Sequence, residues 1–266
     1  MSKPLPKIAV IISNYNYGDY VVNAIRSAEH QDYNGELRIF VVDDGSSDSS
    51  WEKISNITED KGSTQLDEPY YSGIVEFRSS GNIFAYRISN SGASTARNVA
   101  IWMAWDWADV FAILDADDEY HGEKVTILCD KLMEYDEVGA VYADYDIHRT
   151  YNNVDYIKYE SKYPYCKRSL QTQCIVHSGS LVKKGALMAT MLKDKQEFFD
   201  SRLHGPGSKG FIGCTEDYDL WLRVSEVCMI VHVPKSLSYI RETGQNQSLK
   251  MTADIFEQNI ATIKSR

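Results

Sequence analysis

Three aspartates, Asp115, Asp117 and Asp118, crowd four consecutive positions at the end of the run "FAILDADDEY". Carboxylates packed that closely repel one another unless a cation or hydrogen-bond donors compensate them. Hard cations such as Mg2+ and Mn2+ take oxygen ligands and commonly bridge one or two carboxylates to a phosphate. The pattern points to a divalent metal holding a phosphorylated substrate. A helix N-terminus, where Asp is favoured by capping and the dipole, is the plainer alternative; it accommodates one Asp better than three.

Two further apolar runs end in polar clusters. "KIAVIISNYN" closes on Ser13, Asn14 and Tyr15, and "LRIFVVDDGSSDSS" carries Asp43 and Asp44. In open α/β sheets ligands sit beyond the carboxyl ends of the strands, so all three clusters should converge on one edge. Tyr15 could stack on a nucleobase, or be an ordinary edge aromatic. Asp43 or Asp44 could accept the imide N–H of uracil; an Asp-Gly turn explains one of these acids but not both. "NSGASTARN", at 90–98, could bring backbone N–H groups and Arg97 near a substrate's phosphates or sugar, or be only the lead-in to a capped helix. "TEDYDLW" places Glu216 and Asp217 at a helix start. A carboxylate there could serve as general base for a hydroxyl acceptor, or could complement the helix dipole.

The elements that must position these residues follow from periodicity. "KIAVIISNYN", "GDYVVNAIRSAEHQ", "LRIFVVDDGSSDSS" and "SWEKISNI" read as β-α-β-α, with Asp48 or a neighbouring Ser as the second helix's cap. Near-continuous apolar strands of this kind belong to parallel sheets covered by helices. Residues 59–73 read as a loop, and "IVEFRSSGNIFAYRI" as a hairpin turning at Ser79 to Asn82. Helices are predicted over "STARNVAIWMAWDWA", "GEKVTILCDKLMEY" and "TEDYDLWLRVSE", a strand over "VGAVYADYDIHR", and a strand pair or extended run over "MIVHVPKSLSYIR". The Tyr-rich stretch 150–170 and the stretch 193–213 read as loops, and "MTADIFEQNIATIKSR" as a docked amphipathic helix.

Bulk properties narrow the classes. The chain has 266 residues, 43% hydrophobic and 25% charged, which suits one large α/β domain. A net charge of -10 argues against a nucleic-acid partner, whereas a metal lets an acidic chain hold a nucleotide. The five cysteines, at 129, 166, 174, 214 and 228, form no CxxC pair, so neither a zinc site nor a disulfide framework is indicated. No apolar run approaches the roughly twenty residues of a membrane span, and the N-terminus lacks the features of a signal peptide. A soluble, cytoplasmic protein is the expectation, with peripheral membrane contact left open.

Taken together, "ISNYN", "VVDDGSSD", "NSGASTARNVAI", "ILDADDEY" and "TEDYDLWLR" resemble, in order and spacing, the motifs of the family 2 glycosyltransferases. The resemblance runs over roughly residues 6–248. It implies the GT-A fold: a Rossmann-like, mixed and mainly parallel sheet flanked by helices in a single domain, with a nucleotide-sugar-binding half over 1–118, an acceptor-binding half over 119–235 and a tail over 236–266. It implies transfer of a hexose or N-acetylhexosamine from a nucleotide sugar, usually a UDP-sugar, with inversion. The acceptor would be a glycan or lipid-linked hydroxyl, and Mn2+ or Mg2+ the metal. Ser13, Tyr15, Asp43, Asp44, Arg97, Asp115 and Asp117 would line the donor site, with Tyr15 against the base and Asp44 the likelier of the acid pair to meet uracil. Asp117 and Asp118 would face the metal, Asp217 would be the base, and Glu216 would sit beside the acceptor. Many members carry a metal-binding His where Thr243 stands here, which motivates an alternative: a degenerate module that binds a nucleotide sugar or partner without turnover. Dehalogenase-type phosphatases, whose DxD lies near the N-terminus, and sugar nucleotidyltransferases, which need a Gly-rich N-terminal loop with Arg, fit less well.

Overall fold

Strands made of unbroken Val, Ile and Ala have no polar face, so they are stable only when both faces are covered. The computed structural model describes residues 4–58, 73–151, 154–162, 164–177, 179–203 and 215–243, with helical positions 257, 260, 261 and 263. Its elements run β1 (Ile8–Asn14), α1 (Val21–Glu29), β2 (Leu37–Asp43), α2 (Ser50–Ile57), β3 (Ile74–Ser80), β4 (Ile83–Ile88), α3 (Ala93–Ala104), β5 (Val110–Asp115) and β6 (Glu119–Tyr120). They continue with α4 (Lys124–Met133), β7 (Val138–Tyr151), β8 (Val154–Glu160), α5 (Lys167–Leu170), β9 (Leu181–Lys183), α6 (Lys184–Thr190), α7 (Glu216–Val227) and β10 (Met229–Glu242).

All the strands join one mixed sheet in the order β3-β4-β2-β1-β5-β9-β7-β10-β6, with β8 beside β7. The ladder is parallel at β1–β2, β1–β5, β2–β4 and β7–β10. Side-chain alternation divides the core into two layers. Ile8, Val10 and Ile12 face α1, α2 and α4, meeting Ile25, Ile54 and Leu128. Ala9 and Ile11 face the other way, toward Val99 of α3 and Trp221 of α7. Register then fixes the site edge: Asn14 lies opposite Asp43, and Ser13 opposite Asp115, so the three polar strand ends do line up.

The hairpin is β3–β4, turning at Gly81 and Asn82, and the run 229–242 is a single strand. Its register with β7 slips between Val233 and Ser236, flanking Pro234, which has no N–H to donate. The Tyr-rich stretch corrects the sequence reading. Rather than a loop, β8 pairs antiparallel with β7, and α5 follows it. Its Tyr156, Ile157 and Tyr159 are all more than half exposed. Its described apolar side chains face solvent, and over 156–160 the alternation that marks a half-buried strand is missing. Segments 59–72 and 204–214 lie outside the described residues, as does most of the C-terminal tail; Ile260 and Ile263 of that tail pack on the α3/α7 layer.

Ile113, in the middle of β5, is 1% exposed and lies directly behind the acid cluster. Ile113→Ala should cost about 2–5 kcal/mol, the usual range for such a core cavity. Urea unfolding should show a lower midpoint at unchanged slope.

Candidate active site

The first two strand ends are built largely to hold each other. Asn14 Nδ2 donates to Asp43 Oδ1 at 2.8 Å and to Ser46 Oγ at 3.2 Å. Asp43 is fully buried; its Oδ1 also accepts from Ser46 Oγ at 2.6 Å, while Oδ2 accepts from Ser46 N at 3.1 Å and lies 3.5 Å from Arg87 Nε. Gly45 turns the chain at φ +69°, where a Cβ would come within 2.9 Å of Asn90 N. Asp44 reaches across to the lead-in of α3, accepting from Ser91 N at 2.6 Å and Gly92 N at 2.8 Å. Asp48 accepts from Gly18 N and Ser50 N, both at 2.9 Å, tying the β1–α1 loop to the start of α2. Ser13 is half-buried, and Tyr15, which follows Asn14 of this floor, is 46% exposed.

The acid cluster is a tight turn between β5 and β6, closed by Asp118 N donating to the Asp115 carbonyl. Arg241, on β10, clasps it. Its backbone N–H donates to Asp118 Oδ1 at 3.0 Å, its Nε to the Asp117 carbonyl at 3.3 Å, and its guanidinium also pairs with Glu119. The Tyr17 hydroxyl hydrogen-bonds to both Asp117 and Thr243, so the threonine at the expected histidine position is linked to the acids through a phenol. Burial and then the Asp115 charge push Asp117 up to about 7; burial, Asp117 and Asp115 raise Asp118 as well. Lys124 is fully buried beside Ser238 Oγ and pushed down to about 7 by burial, with the Asp118 charge opposing.

Among the described residues no three His, Cys, Asp or Glu side chains form a ready-made metal cage. Asp117 and Asp118 carry the hard oxygen ligands that Mg2+ or Mn2+ takes, with substrate phosphates and water completing such a shell. Burial and like charge disfavour their ionised forms, which a bound cation would stabilise.

The third group comes from the other half of the chain. Of the acids in the first turn of α7, Asp219 is taken by Arg223 at 2.8 Å. Glu216 and Asp217 instead meet Arg97 from α3: Nη1 donates to Glu216 Oε1 at 2.7 Å and lies 3.4 Å from Asp217 Oδ1. Nη2 donates to Asp115 Oδ1 at 2.8 Å. Arg97 is 6% exposed and lies over the Phe199 ring at 5.3 Å. Burial pushes Asp217 up to about 7, with Arg97 opposing and the Glu216 and Asp115 charges reinforcing. The structure thus joins Asp115, Arg97, Glu216 and Asp217 and sets Asp43 apart as a buried brace.

Sequence reasoning missed Tyr17, Asn98, Lys124 and Arg241. Asn98 clamps the chain opposite α3, accepting from Phe198 N at 3.0 Å and Phe199 N at 2.9 Å and donating to the Phe199 carbonyl at 2.7 Å. A polar residue on the helix face next to Arg97 was the one available signal.

The raised Asp217 sets a pH dependence. Its proton is bound in the folded state up to about 7 and in the unfolded state only to about 3.8, so its contribution to stability is lost as pH rises through that window. Asp217→Asn keeps the neutral form. Urea unfolding in metal-free buffer should show the variant gaining on the wild type between pH 5 and pH 7.5; a constant gap would contradict the raised value.

The chain is similar to known proteins in sequence and in fold. Residues 9–190 match the family model for glycosyl transferase family 2. The uncharacterized glycosyltransferase alr2836 of Nostoc is 35% identical over 136 residues, covering 51% of this chain and 36% of that protein. The chain spans about a third of the length of the curated relatives it matches. The crystal structure of S. aureus TarS 1-349 aligns with TM-score 0.63 and 17% identity over 97% of this chain and 64% of that one. A Pyrobaculum calidifontis mannosyltransferase, PcManGT, aligns with TM-score 0.56 and 16% identity over 89% of this chain and 56% of that one. These likenesses identify the fold as GT-A. The family model covers more than half of the chain, and the protein belongs to glycosyl transferase family 2.

Proposed function

We propose that this chain transfers a sugar, with inversion, from a UDP-sugar to a hydroxyl of a glycan or lipid-linked acceptor, with Mn2+ or Mg2+ required. The observation that carries this reading is the Arg97 bridge, which brings the β5 acid cluster and the α7 acids to one place. Support comes from the fold relatives: TarS has been crystallised with UDP-GlcNAc, and the Pyrobaculum enzyme with GDP-Man and Mn2+.

On this reading Tyr15 stacks on the base, a contact of about 1–3 kcal/mol. Asp44, held in place by Ser91 N and Gly92 N, accepts the uracil imide N–H as a charge-assisted hydrogen bond. Residues 1–118 form the donor half, and 119–235 much of the acceptor half. Asp117 and Asp118 would hold the dication. When bound, it stabilises the charge of the departing diphosphate. Asp217, poised near neutrality, takes the proton from the acceptor hydroxyl as that oxygen attacks the anomeric carbon. The bond to the diphosphate breaks on the opposite face, so a single base suffices and no covalent nucleophile is needed. No helix among the described residues is long and apolar enough to cross a membrane, and we place the reaction in the cytoplasm, where nucleotide sugars and a reducing environment for Cys129, Cys166, Cys174 and Cys228 coincide.

The test is UDP release from a panel of UDP-sugars, UDP-GlcNAc included, with and without Mn2+. Release should require the metal and fall by about 10²-fold or more in Asp217→Asn, since general-base catalysis contributes about 10²–10⁴. UDP affinity by calorimetry should change little. Tight UDP binding with no turnover of any donor would favour the binding-module reading motivated by Thr243; absence of UDP binding would sink both.

A further inference from the structure

Arg97 was a candidate for the donor's phosphates, but its terminal nitrogens point elsewhere. Nη1 and Nη2 are both committed to carboxylates, at 2.7 and 2.8 Å, and the guanidinium is buried against Phe199. The two α7 acids are held unequally. Glu216 has the shorter contact, and its side chain is 4% exposed; Asp217 lies 3.4 Å away, and its side chain is 18% exposed. Glu216 is therefore the counter-ion that keeps the guanidinium buried. Asp217 is the more open carboxylate on the rim of that pair, with access to solvent and to an acceptor.

We infer that Arg97 and Glu216 are a pair of positioning residues that set the orientation and proton affinity of the Asp217 base, and that the same guanidinium ties the base to donor-side Asp115. The inference rests on the transferase reading and deepens it: the base is tuned from the donor side of the site. Asp217 feels Arg97 from α3, Glu216 beside it on α7 and Asp115 from β5, and its own charge reaches the Cys174 thiol in the segment before β9. Arg97 stabilises the ionised base, and Glu216 opposes ionisation. Removing the two should therefore move the base in opposite directions. Charges this close shift the carboxyl in opposite directions in any role, so the pH profile of turnover is what separates positioning from scaffolding.

The direct test is a carbon-13 titration of the Asp217 carboxyl in metal-free protein, assigned with Asp217→Asn. Arg97→Gln should raise its midpoint by about a unit or more, the usual reach of an opposite charge at this distance, and Glu216→Gln should lower it. Arg97→Lys keeps a charge without the two-armed geometry and should fall between Gln and wild type. Shifts of the same sign, or none, in folded Gln variants would overturn the inference. Kinetics give a second arm: in UDP release, Arg97→Gln should lower kcat about 10-fold or more, with the acidic limb of its pH profile moved up and calorimetric UDP affinity within about threefold. If UDP affinity falls in step with kcat, Arg97 binds the donor and the inference fails. If the titration shifts as stated but wild type neither binds UDP nor releases it from any donor, the transferase reading fails while the electrostatic pairing stands.

Discussion

A buried guanidinium is destabilising unless carboxylates surround it, and removing one partner of such a pair costs about 3–5 kcal/mol. Arg97 meets that condition by gathering acids from distant parts of the chain: Asp115 at the end of β5, and Glu216 and Asp217 at the start of α7. The contacts fix where α7 sits over the sheet edge. They also leave three carboxylates sharing one cation, and burial then pushes Asp217 toward neutrality. The arrangement constrains the rest of the site edge as well. Asn98, next along α3, fastens the 198–199 backbone against the same helix, and Asp44 fastens the loop that leads into it.

Arg241 provides the complementary clasp at the other end of the acid cluster. It holds the Asp115–Asp118 turn through the Asp117 carbonyl and the Asp118 carboxylate, and its charge partly offsets that of Asp117. Burial still raises Asp117 and Asp118 above the ordinary carboxylate range, and the proposed metal would bind there. Tyr17 links this cluster to Thr243. The loss of the expected histidine is thus met by a hydroxyl network rather than by an empty gap.

Much of this was legible in the sequence because it depends on period and local chemistry. Continuous apolar strands announced a doubly covered sheet, and polar clusters at three strand ends announced the edge they share. Asp43 shows the limit: "DDGS" reads alike whether an acid faces ligand or protein, and only the Asn14 and Ser46 contacts place it inward. Arg97 stood out as a candidate beside the phosphates but not as a bridge between acids, because its partners lie 18 and 119 residues away. The β8 strand escaped notice for an energetic reason. It is held by pairing with β7 and exposes its aromatics, so no hydrophobic alternation betrays it.

Direct displacement assisted by a single base has a stereochemical signature that does not require knowing the natural acceptor. Water can take the acceptor's place, and proton NMR can read the anomer of the free sugar before it mutarotates. With UDP-α-GlcNAc or another α-linked UDP-sugar that turns over, and Mn2+ present, the first sugar formed should be the β anomer. Initial release of the α anomer would contradict the assignment of Asp217 as the lone base of an inverting transfer.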